Sequence, residues 1–498
     1  MQTRLFVLCW TPVLLLTLLA VGFRMSAFFL SIWGSLFTLI LMTGVFGTPF
    51  SVVLLAALDG VFTTLPLLLV ISSGILLSTL LMHTGSLRMI ADWFMGGVRN
   101  VYHRNLLISL GVCNFMEGAS VIAEPVIAPM LRASGVSPVG SAALSIVGYS
   151  GLMTLEMAGI IITVLSLITG IPEAELGIAS AWLSIPAVLA MAAVVPFFLP
   201  ASPHGRWRGM LTALSCGLFL GFAALAAAIY LGVSLSGMAA GLGLIAGLVL
   251  VGGKGLRFNR EILKALAPFL LMLGCLLLVN SVPVFREFTF QRFTVTVRVI
   301  PVHAVTFRPL FSAYLYLFLA FFLSVRLYGV PPGDLKGIIR NGMSKAWRAV
   351  VAMGLFGAMG QMIAFSGYGP GFLHLDPGHN VPMVLSCGLE AWAGHLYPLF
   401  VPFLGWVGTF LTGYGVASLM LFGELQVRAA PLFGISATWL SAALAVGASL
   451  GSISSPFKIA IATPMCGAVG KEGDILRWTI PIGVAASFFI GLILWICT

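Results

Sequence analysis

The chain reads as long apolar runs separated by short polar connections. Runs of spanning length lie near 4–23, 26–46, 61–82, 105–123, 178–200, 210–231, 233–252, 265–284, 309–327 and 346–366. Those at 138–170 and 382–422 are long enough for more than one helix, shorter runs follow at 438–451 and 456–470, and a last run of spanning length lies at 478–497. A bilayer core takes roughly 20 apolar residues per helix, so the pattern predicts an all-α polytopic membrane protein with about twelve to fourteen crossings. Gly and Pro interrupt 111–131, 409–423 and 438–470, which predicts half-helices or re-entrant hairpins there. Segment 285–308 alternates apolar residues with Thr, Gln and Arg. That period of two predicts an extended or hairpin segment at the membrane surface.

Composition agrees with the pattern. The 498 residues are 60% hydrophobic and only 8% charged, with mean hydropathy +1.10, whereas soluble domains carry about 25% charged residues. The net charge of +10 does not point to nucleic acid, because the basic residues gather in short connections, the pattern of cytoplasmic loops. Lys254, Arg257, Arg260 and Lys264 occupy one such loop, and Arg326, Lys336, Arg340, Lys345 and Arg348 another. The two loops flank a pair of spans and so share a side, here placed in the cytoplasm. Segment 285–308 then lies outside, although it carries four Arg of its own. The seven Cys are scattered through apolar segments and read as packing residues. Residues 4–23 read as a first helix, and the seven His, His204 and His303 among them, fall in connections or span ends without metal-ligand spacing. No cofactor is implied.

A weak internal repeat divides the chain. Gly135, Ser137, Gly148 and Ser150 correspond at a constant offset to Gly434, Ser436, Gly447 and Ser449. Residues 1–250 and 309–498 are therefore expected to be two related, inverted halves of a single membrane domain, joined through 251–308. Transport sites form where such halves meet at broken helices.

Glu117 and Glu124 sit in an almost wholly apolar stretch, 111–130, with Gly118, Pro125 and Pro129 breaking the helix around them. A carboxylate at membrane depth costs roughly 2.5–3.5 kcal/mol on insertion scales, so it marks a polar site and points to transport. Glu117 reads either as a proton-coupling group or as a structural carboxylate satisfied by backbone N–H groups. Glu124 and Glu156 either titrate or pair with Arg132 or Lys458. Lys458 reads as a counter-charge for an anionic substrate, as an ion-pair lock between the halves, or as a snorkelling side chain. Asn114, Gly118, Ser120, Ser150, Thr412, Gly413, Ser418, Ser449, Ser454 and Ser455 gather at the helix breaks. There, hydroxyls and free N–H groups suit a carboxylate; packing between membrane helices is the competing reading. Arg132 and Arg428 read as loop-end anchors. Gly-Tyr-Ser-Gly at 148–151 has the look of an intramembrane serine protease motif, but its nearest base, His395, lies in a stretch without helical support.

At these residues the chain resembles the lactate permease family of bacterial organic-acid transporters. The carriers are N-F-M-E-G-A-S-V-I-A-E-P-V-I-A in the first half, F-L-G-W-V-G-T-F-L-T-G at 403–413, S-S-P at 454–456 and G-A-V-G-K-E-G-D-I-L-R-W-T at 467–479. The resemblance runs from about residue 55 to the end. It implies a secondary transporter in the bacterial inner membrane, moving a small organic anion such as lactate or glycolate with H⁺, or with Na⁺ as the alternative. It allows a homodimer. The chain departs from the family pattern in introducing Glu124 and Glu156, in losing most of a polar cluster at 413–422, and in carrying its Lys at 458 instead of at the place of Ser452.

Overall fold

Proline and glycine decide where the apolar runs break. The computed structural model describes residues 2–23, 25–200, 202, 205–252 and 256–498. His204, Lys254 and the side chain of Lys345 lie outside what is described.

The first run is α1 (Gln2–Cys9), α2 (Thr11–Thr17) and a π turn, Leu18–Gly22, with Pro12 opening α2. Then come α3 (Ala27–Gly44), α4 (Phe50–His83) and α5 (Ser86–Gly96). Next, α6 (Val101–Leu106) continues through a π turn into α7 (Cys113–Gly118), followed by α8 (Glu124–Ala133). The first half closes with α9 (Pro138–Ser150), α10 (Ile160–Thr169) and α11 (Glu173–Phe198). The centre holds α12 (Arg206–Tyr230), α13 (Val233–Gly252), α14 (Arg260–Ser281) and the short α15 (Pro283–Arg286). A π turn then leads into the antiparallel hairpin of β1 (Val295–Ile300) and β2 (His303–Phe307), in register Val295 to Phe307. The expected hairpin is thus present from Val295 to Phe307, whereas residues 285–292, expected as extended, are helical after the Pro283 start.

The second half runs α16 (Ala313–Leu327), α17 (Pro332–Ala364), α18 (Val381–Ala393), α19 (Tyr397–Thr412), α20 (Gly415–Phe433), α21 (Ala437–Gly451), α22 (Pro456–Cys466) and α23 (Glu472–Cys497). Among the described residues, ten helices are long and apolar enough to cross a membrane. Many of their large side chains point outward, such as Phe197 and Leu250, as lipid-facing residues do. Two boundaries differ from the sequence pattern. The basic stretch 326–348, expected as a loop, is helical from Pro332, because proline presets the first turn and Lys and Arg are good helix formers with an aqueous face. The span expected from residue 61 begins at Phe50, after the turn at Gly47 to Pro49, which brings Asp59 inside the helix.

Two antiparallel helical hairpins are visible from their side chains. Ser134, just past α8, hydrogen-bonds Asn105 in α6 at 2.5 Å, which leaves 119–123 as a tip. Tyr397 in α19 donates to Gln426 in α20 at 2.9 Å, and Ser418 donates to the Gly405 carbonyl, which leaves Gly413 and Tyr414 as the second tip. The internal repeat has a packing cause. A Cβ on Gly148 would lie 1.7 Å from the Ser109 carbonyl, and one on Gly447 would lie 1.9 Å from the Pro402 carbonyl. In each half the glycine lets α9 or α21 approach the first arm of the preceding hairpin. Gly135 and Gly434 adopt φ of +92° and +67° in the turns before those helices, and Ser137 and Ser436 stand at their N-caps. The long helices α4 and α17 meet the same way, Gly60 against the Gly357 backbone.

Gly447→Ala is expected to destabilise by about 1–3 kcal/mol through backbone overpacking. Gly274→Ala, where an added Cβ meets nothing within 4 Å, should be neutral or slightly stabilising. Thermal unfolding of the two detergent-solubilised variants checks this, and equal melting temperatures would remove the packing account of the repeat.

Candidate functional site

The helix breaks converge. The tip after α7 lies against α4 and α13, since a Cβ on Gly74 would meet the Ser120 carbonyl at 2.5 Å and one on Gly118 would meet Met238 N at 2.3 Å. The α9–α10 break faces α13 as well, with Gly237 against the Glu156 side chain. On the other side, Gly413 abuts Phe457, and Gly415 abuts Met153, so the second tip closes on the same region. The backbone is strained at these breaks. Ser120, Met157 and Ala158 have φ of 59°, 50° and 53°, a region that costs a non-glycine residue about 1–2 kcal/mol. Such strain concentrates at functional sites.

Side chains from both halves meet here. Lys458 Nζ donates to the Tyr149 hydroxyl at 2.6 Å, and that hydroxyl donates to Glu124 Oε1 at 2.7 Å. The ammonium also lies 4.6 Å from the centre of the Tyr149 ring and 3.4 Å from Met153 Sδ. Lys458 therefore reaches Glu124 through Tyr149 instead of directly. Glu117 accepts the Ala123 N–H at 2.7 Å across the hairpin tip. Glu156 is wholly buried, and neither of its oxygens has a hydrogen-bond partner among the described residues. Glu124 Oε2, Asn114 Oδ1, Ser120 Oγ and Ser455 Oγ are also buried without partners. Buried polar atoms are nearly always paired, and these unpaired oxygens make the helix breaks the candidate site.

The remaining residues singled out in the sequence take varied positions. Ser150, Thr412, Ser418 and Ser454 spend their hydroxyls on backbone carbonyls of Ile146, Gly408, Gly405 and Thr479. Ser449 meets Thr154 at 2.5 Å across the two halves. Gly118 and Gly413 are close-approach positions. Arg132, in the last turn of α8, donates to the Val136 carbonyl, whereas Arg428, expected as a loop-end anchor, lies inside α20 and pairs with Glu424 one turn back at 2.8 Å. Tyr149 was not anticipated. Its one signal was a tyrosine in an apolar run, one residue before Ser150.

A second polar contact ties the β-hairpin to the bundle. Asp59 in α4 is fully buried, and its Oδ2 lies 2.7 Å from His303 Nδ1. His303 Nε2 lies 2.9 Å from the Leu167 carbonyl. A carbonyl only accepts, so Nε2 carries a hydrogen, and one further proton is shared between Nδ1 and Oδ2. Burial disfavours charge on the imidazole. The bond to Asp59, the charge of Asp59 and the Leu167 carbonyl outweigh it, and the His303 pKa is raised above its ordinary value. Neither residue was anticipated as a pair.

The model of the L-lactate permease family matches residues 5–251 and 253–498. The chain belongs to the L-lactate permease family. Among curated members it is 43% identical to L-lactate permease of Escherichia coli (strain K12) over 103 residues, 21% of this chain and 19% of that protein. It is 33% identical to glycolate permease GlcA of the same strain over 190 residues, 38% of this chain and 31% of that one. With L-lactate permease of Streptococcus iniae it shares 23% identity over 88% of this chain and 93% of that protein. The chain thus spans about a fifth of the length of the first curated relatives it matches. These relatives are named permeases, not enzymes, and Ser150 has its hydroxyl turned to a backbone carbonyl at 2.7 Å. As a permease-family protein with ten apolar helices, the chain is a multi-pass membrane protein, in bacteria of the inner membrane.

The His303 contact sets a pH dependence. A histidine whose folded pKa is raised contributes stability that is complete below its unfolded value near 6.5 and is lost as pH rises through the folded value. The melting temperature of the parent protein should therefore exceed that of His303→Gln most at pH 6, with the gap narrowing steadily on the alkaline side. A gap that stays constant from pH 6 to 9 would contradict the assignment.

Proposed function

We propose that this family member is a secondary active transporter that carries a small organic anion, a lactate- or glycolate-like carboxylate, by H⁺ symport through alternating access. The observation that carries the reading is the meeting of Glu117, Glu124 and Glu156 with Lys458 at the helix breaks, with Tyr149 between Lys458 and Glu124. Fully ionised, three carboxylates against one ammonium leave two excess negative charges in a low-dielectric interior, which is costly. An arriving anion adds a third. Its entry becomes favourable when protons neutralise the carboxylates first, and that order of events is symport. Lys458 then offers the ammonium to the substrate carboxylate. Glu117, on the hairpin tip, holds the coupling proton, with Glu124 and Glu156 sharing the titration. The small hydroxyls and free N–H groups of the two tips orient the anion.

The repeated order of elements supports two inverted halves, 1–250 and 309–498, connected through 251–308. The long α4, the hairpin of α7 and α8, the broken α9–α10 and the long α11 are matched by α17, the hairpin of α19 and α20, the broken α21–α22 and α23. Rocking of one half against the other would expose the shared site alternately. Sodium in place of the proton is favoured by one observation, the unpaired Asn114 Oδ1 and Ser120 Oγ beside Glu117, since oxygen ligands at broken helices suit Na⁺.

Proteoliposomes with an imposed pH gradient and no sodium test the coupling. Labelled lactate or glycolate should accumulate; uptake that begins only on adding sodium would transfer the coupling to Na⁺. Glu117→Gln should lose gradient-driven accumulation while retaining exchange, and an unchanged pH profile would remove Glu117 from the proton role. Lys458→Met and Tyr149→Phe should each lower uptake by about tenfold or more, as expected for losing one charge-assisted hydrogen bond.

A further inference from the structure

Beneath the β-hairpin lies a cavity of about 20 Å³, room for a single water or one carboxylate oxygen. Its roof is Thr306 to Arg308, and its walls include Pro66 and Glu173. Its floor is Ala158, two residues from Glu156 on the left-handed run of the α9–α10 break.

Arg308 is held in a fixed pose. Its Nε donates to the Phe290 carbonyl at 3.1 Å, and its guanidinium carbon sits 4.0 Å over the Phe290 ring. That ring is packed edge-on against Phe311. The two terminal nitrogens of Arg308 make no hydrogen bond and no ion pair within 4 Å with any described residue. A half-buried guanidinium that is pinned through Nε and stacked on one face presents the two-pronged donor that matches a carboxylate. Glu173 is the carboxylate that lines the same cavity, and it accepts from Thr163 at 3.0 Å. It attracts Arg308 through space without contacting it.

Resting on the transport reading above, we infer that this cavity is an outer station for the substrate carboxylate, entered from the hairpin side and anchored by Arg308, ahead of the Lys458 site. The station concentrates the anion next to the break that carries Glu156. Glu173 balances the guanidinium while the station is empty. Arg308 thereby sets the affinity from the hairpin side alone, because the opposite side reaches Lys458 by a different path.

Sided membrane vesicles test this with labelled L-lactate and glycolate. Arg308→Gln should raise the KM for entry from the hairpin side about tenfold, with the KM from the opposite side within twofold of the parent and the ratio of the maximal rates in the two directions shifted by the same factor, as detailed balance requires. Arg308→Lys, which keeps the charge but loses the fork, should fall between. Its melting temperature, matched to the parent, establishes that the hairpin is folded. Equal KM changes from both sides, or no change from either while the parent transports, would overturn the outer station and leave the transport reading intact. A parent that moves neither acid from either side would overturn both.

Discussion

Holding three buried carboxylates near the half-buried ammonium of Lys458 is the constraint around which the rest is arranged. Each ion alone would be prohibitive in hydrocarbon, and a buried pair repays its desolvation only with good geometry and further hydrogen bonds. The Lys458–Tyr149–Glu124 chain supplies part of that geometry, and the Ala123 N–H supplies it for Glu117. Glu156 and the outer oxygen of Glu124 are left unsatisfied. Buried oxygens are nearly always paired, and these are what single the region out as the candidate site.

The helix breaks follow from the same constraint. Broken backbone at membrane depth survives only where protein surrounds it. Glycines at Gly74, Gly118, Gly148 and Gly237 bring neighbouring backbones close enough to wall off the first break, and Gly405, Gly413 and Gly447 do so for the second. The glycine that looks like a repeat marker in the sequence is therefore a packing device used twice. The serines beside it are less uniform. Ser150 bonds within its own helix, whereas Ser449 reaches across to Thr154.

The β-hairpin, Val295–Phe307, follows the central helices and packs on the end of the bundle. Ile300 packs with Val52 and Phe372, from opposite halves. His303 joins α4 to the end of α10, and Arg308 lines a cavity that Ala158 of the α9–α10 break also lines. One short segment thus packs against α4, α10 and the rim of that break.

Much of this was legible in the sequence by itself. Apolar periodicity and length determined a polytopic helical protein, because hydrocarbon admits little else. Period-two alternation determined the surface hairpin, and Gly and Pro located the breaks, since those residues act through local backbone geometry. The motifs at 403–413 and 467–479 determined the family. Even the charges of the site were readable, because a carboxylate in an apolar run is conspicuous without knowing its neighbours. What only the tertiary structure decided is who meets whom. Tyr149 meets Glu124 from the neighbouring helix but Lys458 from 309 positions away, and Asp59 faces His303 across 244 positions. Nor does a hydroxyl at a helix break announce whether it will bond its own backbone, as Thr412 does, or remain free, as Ser120 does. Those outcomes depend on which backbone the packing brings within about 3 Å, and local sequence carries no record of that distance.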